Sequence, residues 1–193
     1  MRLGPLQELN ADQAGFRDRL IARRGGVHGP FEVLLRSPLL GERTEALSTS
    51  CMRDSALPPR LRELTLLIAA RHFDAQHSWN AHRGKAVGTG LDPTALDRLA
   101  RGEDPRFDRT DERILHRFAV QALRVHFVDD DTYATALAEF GEAALVDLVV
   151  ALGTFATLAL VLNTFEVELQ PDQEPPFPDV RGFQHNGPTQ EES

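Results

Sequence analysis

Apolar positions along this chain recur every three or four residues, and no stretch between turn signals keeps a two-residue alternation. That period places side chains on one face of a helix, so the pattern predicts helices almost throughout. Asn10 or Asp12 caps a first helix, with Phe16, Leu20 and Ile21 on one face, running to about Arg24. Arg23-Arg24-Gly25-Gly26 ends it: basic residues suit a last turn and glycine suits the left-handed stop. Gly29-Pro30-Phe31 turns the chain into a short apolar segment, Val33-Leu34-Leu35. Ser37-Pro38 reads as an N-cap with proline at the first helical position, opening a helix to about Cys51. Pro58-Pro59 opens the next, in which Leu64, Leu67, Ile68 and Arg71 form a stripe with Glu63 beside it. Another runs from Asp74 to Gly88, a short one begins at Asp92-Pro93, and Gly102 to Asp108 is a loop. Thr110 starts a helix to about Arg124, with acids in its first turn. Asp129 starts one through Ala138. The last, Glu142 to about Glu168, is apolar on most sides, which predicts burial in the domain centre or at a subunit interface.

The expected fold is therefore all-α, a single domain over residues 1–170. From Pro171 the composition shifts to Gln, Pro, Asp, Glu and Gly, and residues 171–193 are expected to be an extended or disordered tail. A chain of 193 residues is long enough for one substantial core. Its net charge of −8 works against nucleic-acid or anionic-membrane partners. The first ten residues lack the apolar centre of a signal peptide. The longest apolar run, Ala143 to Val161, is broken by Asp147, Gly153 and threonines, short of the ~18 residues a membrane span needs. A cytoplasmic location is expected. The one cysteine, Cys51, excludes an intrachain disulfide, a Cys-x-x-Cys redox pair and a multi-cysteine zinc site.

The chemistry gathers in D-A-Q-H-S-W-N-A-H, Asp74 to His82. His77 and His82 are five residues apart, about 140° around a helix, and no histidine pair has the four-residue spacing of a helical metal site. No metal is expected. Neither Arg23-Arg24-Gly25-Gly26 nor the glycines from Gly84 to Gly90 match a phosphate-binding loop, and no Gly-x-Ser-x-Gly elbow occurs. Ala75, Ser78 and His82 share one helical face, flanked by Trp79. Glu63, one helix earlier, reaches His82 if the two helices pack antiparallel. A carboxylate that orients an imidazole makes a general acid/base pair for a small organic substrate. The same pair would equally serve as a tie between two helices.

Three stretches, Leu57 to Arg71, Ala75 to Leu91 and Phe140 to Leu169, with Gly29 to Pro38 before them, resemble the carboxymuconolactone decarboxylase superfamily, which includes the alkylhydroperoxidase D type proteins. The resemblance covers about Gly25 to Leu169 in one order. It implies an all-α helical bundle that assembles as a homo-oligomer, a trimer or a hexamer. The peroxidase branch carries Glu, a Cys-x-x-Cys pair and His, which fall here on Glu63, Ala75, Ser78 and His82. Both sulfurs are absent, and serine cannot cycle through sulfenic acid and disulfide. The decarboxylase branch, whose Tyr-Glu-Trp-x-x-His falls on His77, Ser78, Trp79 and His82, is the better match; its namesake uses no metal or organic cofactor.

The expected function is accordingly cofactor-free decarboxylation or lactone proton transfer on a small carboxylated or cyclic compound. His82 would deliver the proton and Glu63 would orient it. His77 and Ser78 would donate to a lactone or enolate oxygen, Trp79 would wall a flat ring, and Arg71 would clamp a carboxylate or form a structural ion pair. His28, in a glycine-rich loop, and Asn163, a polar residue in an apolar helix, are further candidates. The rival expectations are a peroxiredoxin-like activity, disfavoured by the missing cysteines, and a non-catalytic oligomer that binds small molecules.

Overall fold

The computed structural model describes residues 1–170, 172–178 and 180. Among them are eight helices and no strand: α1 (Ala11–Arg24), α2 (Pro30–Leu34), α3 (Pro38–Arg53), α4 (Pro59–His72), α5 (Gln76–Gly88), α6 (Pro93–Ala100), α7 (Thr110–Val125) and α8 (Asp130–Thr164). The all-α expectation holds.

Local chemistry sets the ends. Asn10 accepts from the Gln13 amide while the Gln13 side chain accepts from the Asn10 amide, closing a capping box on α1. Gly25 ends that helix in the left-handed region at φ 78°. The apolar segment at Val33 belongs to one short helix, α2. Asp92 caps α6 through the Thr94 and Ala95 amides.

The two helices expected on either side of residue 140 both form, and they meet at a kink inside α8. Gly141 sits at φ 75°, ψ 170° inside α8, a backbone state that glycine adopts without a Cβ clash. The C-terminal half of α8 is long and apolar enough to cross a membrane by length and composition, which the sequence reading did not expect. Half of its most apolar stretch is nevertheless buried inside the fold, as in a central core helix.

α4 is the centre of the bundle. Leu61, Leu64, Leu66, Leu67, Ile68, Ala69 and Ala70 are buried, and α5, α7 and α8 pack around it. The turn at Phe73-Asp74 reverses the chain. The Ala75 amide donates to the Ala70 carbonyl at 2.7 Å, and α5 runs back antiparallel to α4. α1 and α2 form a smaller apolar cluster of Phe16, Leu20, Phe31 and Leu35 beside the main core.

The chain beyond residue 170 touches the helical body. Residues 172–178 carry no helix, as expected of the tail, but they are packed on the body. Phe177 is 5% exposed and meets Trp79 edge to face, ring centroids 5.8 Å apart. Gln76 Nε2 donates to the Phe177 carbonyl (2.6 Å) and Asn80 Nδ2 to the Glu174 carbonyl (2.9 Å). The Phe177 ring over Trp79 and these two hydrogen bonds hold the segment against α5 despite its polar composition. Residues 181–193 lie outside the described residues. Phe177→Ala should lower the unfolding free energy by about 3 kcal/mol, the usual scale for removing a buried ring, measured by urea denaturation.

Candidate active site

Glu63 lies one turn into α4, 7% exposed in a wall of leucines. A carboxylate there needs a partner, because burying an unpaired charge is costly. Antiparallel packing supplies one: Glu63 Oε2 is 2.9 Å from Nδ1 of His82 on α5. An ionised carboxylate only accepts, so Nδ1 carries the proton in this contact and Nε2 is left as the reactive nitrogen.

The pair stands in the wall of a cleft of about 1100 Å³. Ser78, Ala81 and His77 line it along α5, Leu66 and Ala70 along α4, and Phe155 and Leu158 along α8. His77 and His82 both reach the cleft despite their 140° offset on the helix, because the cleft wraps around the edge of α5.

The loop between α1 and α2 closes one side. A Cβ at Gly26 would lie 2.2 Å from Nε2 of His28, and one at Gly29, itself at φ +62°, would lie 2.6 Å from Cε1 of His77. Two glycines therefore let the loop backbone approach two imidazoles closely. Burial pushes the His77 imidazole below its ordinary 6.5; Glu32 opposes this and His28 reinforces it. His77 thus stands in the cleft as a neutral imidazole at neutral pH, able to donate or accept a hydrogen bond.

Opposite, α3 contributes Glu45, buried and bonded by Arg23 Nη1 at 3.1 Å and by the Thr49 hydroxyl at 2.9 Å, with Arg24 Nη1 at 3.6 Å. Arg24 also lies over the Phe31 ring, 4.5 Å from its centroid. The end of α1 is thereby tied across the cleft mouth to α2 and α3.

Of the residues expected to form the site, Glu63, His82, His77, Ser78 and His28 come together on the cleft. Trp79 does not. It is fully buried on the other side of α5 against Phe177, so it walls no substrate. Arg71 does not either: it pairs with Asp74, donates from Nε to the Ala100 carbonyl at 2.8 Å and covers the Phe177 ring. Asn163 donates to the Phe73 carbonyl, which ties α8 to the end of α4.

Several lining residues were missed. Lys85 carried a signal, since it lies three residues beyond His82 on the same helix. Arg53, Glu45, Phe155 and Leu158 carried none, because helices far apart in sequence bring them in. Among the described residues no three of His, Cys, Asp and Glu are grouped so as to hold a metal ion. Cys51 is buried, 3.8 Å from the Thr154 hydroxyl, and is not on the cleft. Burial pushes its thiol up, away from the reactive thiolate.

No family model matches the chain, and no curated protein matches it. Solved structures do. An uncharacterized peroxidase-related protein from Silicibacter sp. TM1040 superposes with a TM-score of 0.72 at 15% identity, over 89% of this chain and 91% of that one. A Ralstonia eutropha JMP134 protein, described as an alkylhydroperoxidase AhpD core and an uncharacterized peroxidase-related protein, gives 0.72 at 18% identity, over 88% and 92%. An Agrobacterium tumefaciens protein of unknown function, a putative antioxidant defence protein AhpD, gives 0.64 at 20% identity, over 72% and 95%. The chain thus has the AhpD-like helical fold.

The lowered His77 fixes a sign. Just below pH 6.5 the unfolded chain takes up a proton at this residue that the folded chain refuses, so stability falls as pH drops. Urea midpoints should decline between neutral pH and about pH 5.5, and decline less in His77→Gln.

Proposed function

We propose that this protein is a cytoplasmic, metal-independent enzyme that performs acid/base chemistry on a small carboxylated or cyclic compound, by decarboxylation or by proton transfer on a lactone. The observation that carries this reading is the contact of 2.9 Å between His82 Nδ1 and Glu63 Oε2 in the wall of the cleft. A carboxylate that holds one imidazole nitrogen turns the other into a directed proton carrier. In a decarboxylation, the bond from carbon to the carboxylate breaks, CO2 leaves, and the electron pair stays behind as an enolate. His77 and Ser78 are the donors at hand for the enolate oxygen. An imidazolium at His82 then gives its Nε2 proton to carbon, and solvent restores it.

The AhpD-like fold hosts proteins described as peroxidase-related, but a fold does not carry a chemistry by itself. What weighs against thiol-based peroxide reduction here is the cleft's lining, where Ser78 takes part and no cysteine does. Ala75, at the other position implied for a redox cysteine, is fully buried.

We further propose that the chain works as a homo-oligomer, a trimer or a hexamer. The outer face of α8 presents Val146 (62% exposed), Val149, Val150 and Leu160, and neighbouring α3 presents Leu39 (61% exposed), Leu40 and Leu47. Large apolar side chains left in water on two neighbouring helices are the kind of surface that a subunit contact covers.

Two measurements test these readings. Turnover of carboxymuconolactone and related lactone acids in EDTA should fall by about a hundredfold or more in His82→Ala, the scale of losing a general acid, and substantially in Glu63→Gln. Loss of turnover on adding EDTA, or activity untouched in His82→Ala, would overturn the mechanism. Absence of turnover with intact folding would instead mark a non-catalytic binding protein. Light scattering should report a trimer or hexamer for the wild type and a smaller mass for Val149→Asp/Leu160→Asp.

A further inference from the structure

The cleft has two unlike ends. α4 and α5 run antiparallel, which sets Glu63, early in α4, beside His82, late in α5. α3 finishes at the same end: Arg62 on α4 donates from Nη1 to the Arg53 carbonyl at 2.9 Å. Lys85 stands about 4.5 Å further along the α5 axis than His82, on a neighbouring part of the same face. Arg53 and Lys85 therefore both line the cleft at the end that holds the Glu63–His82 pair. Among the described residues neither has an acidic partner. The other two cations on the cleft, Arg23 and Arg24, are taken up by Glu45.

Away from that end an apolar floor runs alongside His77 and Ser78. α4 presents Leu66 and then Ala70. α8 runs parallel to α4, with Asp147 bonded to the Ala56 amide at one end and Asn163 to the Phe73 carbonyl at the other. Phe155 and then Leu158 extend the same floor in the same direction, and all four side chains are buried. A volume of about 1100 Å³ takes a body well beyond one small ring, since drug-sized ligands fill roughly 300–1000 Å³.

We infer that this cleft takes an amphipathic organic anion, its anionic group held by Arg53 and Lys85 and its apolar body lying along Leu66, Ala70, Phe155 and Leu158. The inference rests on the reading of this cleft as the substrate site and narrows what that substrate is. It also sets the geometry of the reaction: an anion held between Arg53 and Lys85 lies next to the nitrogen that moves the proton. Both cations are on exposed positions, so replacing them leaves the core untouched.

Calorimetric titration of the full chain with octanoate, acetate, octylammonium and octanol tests it. Octanoate should bind, and acetate and octylammonium should bind at least about tenfold more weakly. The double variant Arg53→Gln/Lys85→Gln should weaken octanoate by about tenfold or more, the scale of losing a charge-assisted contact, and leave octanol unchanged. Octylammonium or acetate matching octanoate would overturn the inference, as would no octanoate binding or a double variant with wild-type affinity. Binding heat needs no turnover, so the two readings fail separately. Lactone turnover without a preference for octanoate overturns this inference alone. Octanoate binding without lactone turnover supports it and overturns the catalytic reading alone.

Discussion

A carboxylate buried in the central helix constrains everything around it. α4 is otherwise leucine, isoleucine, alanine and threonine over the turns it buries, and none of these can answer a charge. Thr65 spends its hydroxyl on the Leu61 carbonyl, and the adjacent Arg62 spends its guanidinium on the Leu57, Met52, Arg53 and Ser55 carbonyls. Glu63 must therefore be satisfied from another helix, and only an antiparallel α5 in one register brings His82 within 2.9 Å. A shift of α5 by one residue would rotate His82 about 100° away and leave the carboxylate unpaired. The register of the α4–α5 pair and the geometry of the candidate site are one constraint.

α5 is held from both sides. On one face, Trp79 is clamped between the core and Phe177, with Gln76 and Asn80 bonded to the backbone of the segment that carries that ring. On the other, His77, Ser78 and His82 meet the cleft. The arrangement explains why the two candidate residues that moved out of the site did so. Trp79 is large and apolar and goes where area is buried. Arg71 lies at the end of α4 beside Asp74, a close acidic partner, and takes it.

The likeness to AhpD-like proteins covers nearly nine-tenths of the chain in two comparisons, at identities of 15% and 18%. Such a distance preserves packing and allows the reactive atoms to change. In this chain Ala75 is buried, Ser78 has a hydroxyl, and Cys51 sits apart with its thiol pushed up by burial. What this chain places beside the cleft is an imidazole oriented by a carboxylate.

Helix content, helix ends and the pairing of Glu63 with His82 were legible in the residues themselves. The reason is locality: Asn10 and Asp92 accept from amides within one turn, Gly25 and Pro59 fix the backbone where they stand, and the apolar period is a property of each helix alone. The imidazoles of His77 and His28 were also legible as candidates, though the glycines that let the loop approach them were visible only as glycines. Tertiary structure decided the rest. It chose which face of α5 meets water and which meets Phe177. It laid residues 172–178 against α5, with the Phe177 ring over Trp79, despite their polar composition. It brought Arg53 and Lys85 from separate helices to one end of the cleft and an apolar floor from α8 to the other. Those are long-range packing outcomes, set by how helices of fixed character share a limited volume, and no local pattern encodes them.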